Sequence, residues 1–131
     1  MTVGGFLLFA MTYSIESSLL KVSIQKTGAE LCSIISKETG KEYIWQADPK
    51  VWGSHAPVLF PIIDGLKDGF YTFEGKSYKM PKHGIVRGNT NMIAEEQFND
   101  SITFVLNSDA STKEMYPFDF QFRIRFSVSE N

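Results

Sequence analysis

The sequence has one cysteine, two histidines and almost no net charge, 13 Lys and Arg standing against 15 Asp and Glu for a formal −2 at pH 7. Each scarcity excludes something. A single thiol, Cys32, cannot close an internal disulfide, and in the run Leu31-Cys32-Ser33-Ile34-Ile35 it reads as a small hydrophobe, which fits a reducing cytoplasm. Basic residues are scattered singly and not gathered in a stripe, so no field attracts a phosphate backbone and nucleic acid is not an expected partner. No apolar run approaches the roughly 20 residues that a membrane-spanning helix needs. A glycine-rich phosphate loop, an HExxH pair and a cysteine cluster are all missing, so no nucleotide, metal or other cofactor is expected.

What is present is a chain of 131 residues, the size of one domain with a real core, with 43% hydrophobic and 21% charged residues. Residues 1–12, including the short apolar patch Phe6-Leu7-Leu8-Phe9, lack the positive region of a signal peptide. They read as a flexible extension before a second plausible start at Met11. From Tyr13 onward, period-2 alternation dominates and predicts a mostly β domain over residues 13–131. Leu20 to Ile24 alternates, Thr27-Gly28 turns the chain, and Ala29 to Ser36 predicts a more buried strand. A turn over Lys37 to Lys41 then leads to an expected partner strand, Glu42 to Gln46. Pro49, Pro57 and Pro61 break the pattern between Ala47 and Gly69, which predicts a structured loop carrying Trp52, His55 and Phe60. A hairpin follows over Phe70 to Met80 with its turn at Glu74-Gly75-Lys76.

The clearest strands are Ser101 to Leu106 and Phe120 to Val128. The second places Phe120, Phe122, Ile124, Phe126 and Val128 on one face, with Gln121, Arg123, Arg125 and Ser127 on the other, as in a β-sandwich. Such an apolar strand, left as an edge, invites pairing with another copy or with a complementary chain.

Among polar residues, the segment His83-Gly84-Ile85-Val86-Arg87 stands out. The histidine can hydrogen-bond or titrate, Gly84 would let a ligand approach the backbone, and the planar fork of Arg87 suits sugar hydroxyls, carboxylates or phosphates. A turn leading into a strand, with the histidine on a carbonyl and the arginine exposed, accounts for the same residues without function. The carboxylate pairs Glu95-Glu96 and Asp64 with Asp68 read as solvated surface acids.

Several stretches together resemble the aldose 1-epimerase family, in particular its LacX-like branch. They are Gly28-Ala29-Glu30-Leu31, Glu42-Tyr43-Ile44-Trp45-Gln46, Trp52 with Ala56-Pro57-Val58-Leu59-Phe60-Pro61-Ile62, Leu66-Lys67-Asp68-Gly69, Gly75-Lys76-Ser77-Tyr78, His83 to Arg87, and Tyr116-Pro117-Phe118. The resemblance covers nearly everything after Met11. It implies the N-terminal part of a galactose mutarotase-like β-sandwich and cofactor-free interconversion of the α and β anomers of a hexose or hexose phosphate. It further implies that His83 is a catalytic and substrate-site residue and that Arg87 binds substrate, with Trp52 and Phe60 supporting the wall. The family's later catalytic histidine and glutamate match no position here, and Asp64-Gly65 stands where relatives commonly carry Gly-Arg. The alternative expectation is therefore a truncated, noncatalytic domain for sugar binding or chain assembly.

Overall fold

Two three-stranded antiparallel sheets share one apolar core in the computed structural model, which describes residues 11–130. The first sheet contains β1 (Thr12–Glu16), β2 (Leu20–Gln25) and β3 (Glu30–Ser36), in that order. A short hairpin follows, β4 (Phe70–Phe73) with β5 (Lys76–Lys79), its turn at Glu74 and Gly75 made of two left-handed residues. The second sheet contains β6 (Ile93–Glu95), β7 (Ser101–Asn107) and β8 (Gln121–Ser127), with a single short helix α1 (Ala110–Met115) between β7 and β8. Asp109 caps that helix by accepting from the Thr112 amide, while the Thr112 hydroxyl accepts from the Asp109 amide. No helix among the described residues is long and apolar enough to cross a membrane.

Alternation delivers the core as the sequence pattern requires. Ile15, Val22 and Ile24 from the first sheet meet Ile102, Phe104 and Leu106 from β7, all buried. Tyr13 adds an edge-to-face contact with Phe104 at 5.6 Å between ring centroids. Met80, Ile85, Val86 and Met92 complete the core from the segment between the two sheets. Burying a side chain such as Phe104 is worth about 1.5–3 kcal/mol relative to leaving it exposed.

The central strand β7 is buried on both faces. Its second face, Ser101, Thr103 and Val105, is covered by the β8 residues Arg123 and Arg125, opposite Val105 and Thr103 in the register. Arg125 donates to the Ser101 hydroxyl at 3.3 Å, and Arg123 pairs with Glu95 at 3.2 Å. The long arginine stems cover apolar surface while their charged ends stay in water.

The expected strand over Glu42 to Gln46 does not form beyond one bridge, Ile35 with Glu42. The reason is local. The Glu42 carboxylate itself accepts from the amides of Ile34 at 2.8 Å and Ile44 at 2.9 Å, and from the Ser33 hydroxyl, so a side chain takes the place of a backbone acceptor. β3 is correspondingly less buried than expected, with Cys32 its one buried residue. The extension expected over residues 1–12 falls, for residues 1–10, outside the described residues. At Met11 the carbonyl already accepts from the Lys26 amide at 2.8 Å, and Thr12 pairs with Gln25.

Candidate functional site

Residues 80–88 run beside residues 54–64 along one side of the core, and His83 and Arg87 both lie on this strip. Phe60 and Gly84 form a parallel bridge, and the Ile85 amide donates to the Phe60 carbonyl at 2.7 Å. Gly84 has φ 81°, and a Cβ there would overlap the Phe60 carbonyl and the Pro61 nitrogen. The glycine therefore serves a close approach between two backbones. The Phe60–Pro61 peptide is cis, and the Phe60 ring turns inward onto Tyr116, Phe120 and Phe122, with centroids 5.0–5.9 Å away. It backs the strip instead of facing its surface.

His83, half-buried, adopts φ 73°, a left-handed conformation that side chains other than glycine rarely take. Its amide donates to the Asp64 carbonyl at 3.3 Å, and its ring nitrogen Nδ1 contacts the Ile63 carbonyl. A carbonyl only accepts, so Nδ1 carries a proton and, in the neutral ring, Nε2 is the acceptor nitrogen. Beside it, Lys82 pairs with Asp64 at 3.4 Å. The Asp64 carboxyl is held below its ordinary range by a hydrogen bond from the Gly65 amide and by Lys82. The charge of Asp64 is thus met by a lysine from the neighbouring segment.

Arg87 is exposed, and its guanidinium donates to the Ser54 hydroxyl at 3.1 Å. Between the two polar residues, Gly84, Ile85 and Val86 are buried and anchor the strip in the core. The far end is pinned by Gly28, whose amide donates to the Asn89 carbonyl at 2.9 Å and where a Cβ would lie 2.8 Å from the Gly88 nitrogen.

His55 has a structural task. Its amide donates to Glu30 at 2.6 Å, and its Nδ1 lies 3.8 Å from the same carboxylate, tying the loop to β3. Trp52 is exposed, and its carbonyl accepts from the Trp45 indole at 2.8 Å. Burial, reinforced by the Glu30 charge, pushes the Cys32 thiol up, which leaves it a poor nucleophile. Glu95 and Glu96 face Arg123, at 3.2 and 3.8 Å, and belong to the outer face of the second sheet. Ser54 and Lys82 carried no signal in the sequence, and Asp64 gave none of its contact with His83, since their place beside Arg87 and His83 depends on the pairing of segments some 20–30 residues apart.

Residues 11–131 match the model of a family described as aldose 1-epimerase. The plasmid and chromosomal LacX proteins of Lactococcus lactis subsp. lactis are each 31% identical over 124 residues, covering 91% of this chain and 41% of theirs. A galactose mutarotase related enzyme from Lactobacillus acidophilus superposes with a TM-score of 0.89 at 43% identity, over 92% of this chain and 40% of that one. A galactose mutarotase-like protein from Lactobacillus casei gives 0.87 at 30% identity, with the same coverage. The chain thus spans about two-fifths of the length of these relatives.

Proposed function

Since this chain belongs to the aldose 1-epimerase family and has the galactose mutarotase-like fold over the part it spans, we propose that its His83–Arg87 strip is the sugar-facing portion of a mutarotase site, acting on a hexose or hexose phosphate in the cytoplasm. The observation that supports this reading most is the posture of His83. Its Nδ1 is engaged by the Ile63 carbonyl and its backbone is locked between Asp64 and Gly84, so a neutral ring offers Nε2 to a sugar hydroxyl without first having to order itself.

Anomer exchange requires a base to take the proton of the anomeric hydroxyl and an acid to protonate the ring oxygen, after which the ring opens, rotates about C1–C2 and recloses. His83 supplies an imidazole for orienting, polarising or proton transfer at a sugar oxygen. Arg87, held by Ser54, supplies the fork that hydroxyls or a phosphate would engage. A complete acid–base pair would need groups from the remaining three-fifths of the fold that the relatives possess. The coverage of the relatives also favours a second reading, a domain that binds sugar without turning it over.

Polarimetry or NMR exchange of freshly dissolved α-galactose, α-glucose and glucose 6-phosphate tests both. Acceleration above buffer that is lost in His83→Ala supports the mutarotase reading. Saturable sugar binding without acceleration supports the second, and neither effect from a folded chain overturns both.

A further inference from the structure

His83 shares its end of the strip with two opposite charges, Asp64 and Lys82. The Asp64 carbonyl accepts from the His83 amide at 3.3 Å, so the two backbones lie side by side. The Asp64 side chain is exposed, and its Oδ1 takes both the Gly65 amide at 2.8 Å and the Lys82 ammonium at 3.4 Å. Both contacts fall on one oxygen, which leaves Oδ2 to accept from a ligand. The Gly65 amide and Lys82 keep this carboxyl ionised, and the His83 ring is near enough to add to the effect when it is charged. In the neutral ring the proton sits on Nδ1, against the Ile63 carbonyl, so Nε2 is an acceptor as well. This end of the strip thus offers two acceptors, which suit the O–H groups of a sugar. A phosphate, with a charge of about −1.5 to −2 at pH 7 and mostly acceptor oxygens, does not suit them. Lys82 does not reverse this, because Asp64 already engages its ammonium. Arg87 lies beyond the buried residues Gly84, Ile85 and Val86, tied to the neutral hydroxyl of Ser54.

We propose that Asp64 is a charge filter on the His83–Arg87 strip: its carboxylate accepts from a hexose hydroxyl beside His83 and withholds Lys82 from anions, so that the site takes an uncharged hexose in preference to a hexose phosphate. This role rests on the sugar-site reading and narrows its substrate class. One residue does two things at once. It places a negative charge where a phosphate would be repelled, and it occupies the ammonium that would otherwise attract one. Without that carboxylate, Lys82 and Arg87 would stand on the same strip as two cations, the kind of pair that holds phosphate oxygens. Asparagine at this position keeps an oxygen for the Gly65 amide and the backbone contact to His83, so Asp64→Asn removes the charge and spares the loop.

Titration of the full chain with glucose, glucose 6-phosphate and inorganic phosphate, followed through the NMR shifts of the Lys82, His83 and Gly84 amides, tests the proposal. The proteins compared are the wild type, Asp64→Asn and the double variant that adds Lys82→Gln. The wild type is expected to bind glucose more tightly than glucose 6-phosphate by about fivefold or more. Asp64→Asn should weaken glucose binding and tighten both phosphates by about tenfold, with the gain shrinking in raised salt. Adding Lys82→Gln should remove most of that gain. If asparagine disturbs the loop, Asp64→Ser, which also keeps an acceptor oxygen, takes its place. A wild type that binds glucose 6-phosphate as tightly as glucose overturns the proposal. So does an Asp64→Asn chain whose phosphate affinity is unchanged, or one whose gain survives Lys82→Gln. If the wild type binds no sugar while Asp64→Asn gains inorganic phosphate through Lys82, the sugar-site reading falls and Asp64 still stands as the residue that keeps anions off the strip. The expected preferences without any acceleration of mutarotation support the filter and count against the mutarotase reading alone.

Discussion

β3 and β8 are both outer strands, and the molecule treats their free sides differently. Along β3, residues 41–56 act as a substitute neighbour. Glu42 accepts from the Ile34 amide, the Tyr43 amide donates to the Ile34 carbonyl, Gln46 donates to the Cys32 carbonyl, and Leu31 bridges to Ala56. Glu30 then holds the loop through the His55 amide. Along β8 no described strand does this. An edge can thus be closed by side chains and irregular backbone, without a further strand, provided a carboxylate is placed where a carbonyl would have been.

The sharpest way to break this comparison uses proline as a probe of which amides are engaged. Ile124→Pro removes a hydrogen bond to β7 and should cost about 3 kcal/mol or more, read by urea unfolding, whereas Arg125→Pro one residue away should cost far less. A similar loss in both variants would mean that the two sides of β8 are equally engaged. Next comes Glu42→Ala, which strips the β3 edge of an acceptor shared by two amides and a hydroxyl. The expected loss is about 2–3 kcal/mol, since hydrogen bonds to a charged group are stronger than neutral ones.

The same residue gives a pH signature. Burial opposes ionisation of Glu42, but the hydrogen bonds from Ser33, Ile34 and Ile44 outweigh it and bring the pKa below its ordinary 4.5. A depressed folded pKa means that the carboxylate's contribution is fully present above about pH 4.5 and fades as pH falls through the folded value. The stability gap between the wild type and Glu42→Ala should therefore narrow in acid, and a gap that stays constant down to complete protonation would show that ionisation plays no part.

Smaller effects sharpen the picture. Glu30→Ala should loosen the loop around His55 at a cost of about 1 kcal/mol, with faster amide exchange at His55 as the direct readout. Arg123→Met, which keeps an apolar stem over Val105 and removes the half-exposed ion pairs with Glu95 and Glu96, should cost less than about 1 kcal/mol.

Much of this was legible in the chain. The alternation in Ser101–Leu106 and Phe120–Val128, the turn at Glu74-Gly75 and the proline-broken loop all follow from local rules, and all three reappear in the structure. The His83–Arg87 segment was legible as a motif. Its surroundings were not, because the Ile63 carbonyl and the Ser54 hydroxyl reach it only through tertiary pairing. Glu42 shows the opposite failure. Tyr43, Ile44 and Trp45 carry strand propensity, yet a single carboxylate satisfying the β3 edge removed the reason to extend the sheet.

Period and turn chemistry are properties of neighbouring residues, and so the sequence by itself determined that this is a β protein, where most of its strands lie and which face of each is apolar. Which strand is central, which edge is closed and what Gly84 is for depend on what each surface meets across the core. β7 and β8 alternate alike, but only packing buries β7 on both faces and leaves β8 with one side open. Gly84 likewise became a contact for Phe60 because two distant segments cross there with no room for a Cβ.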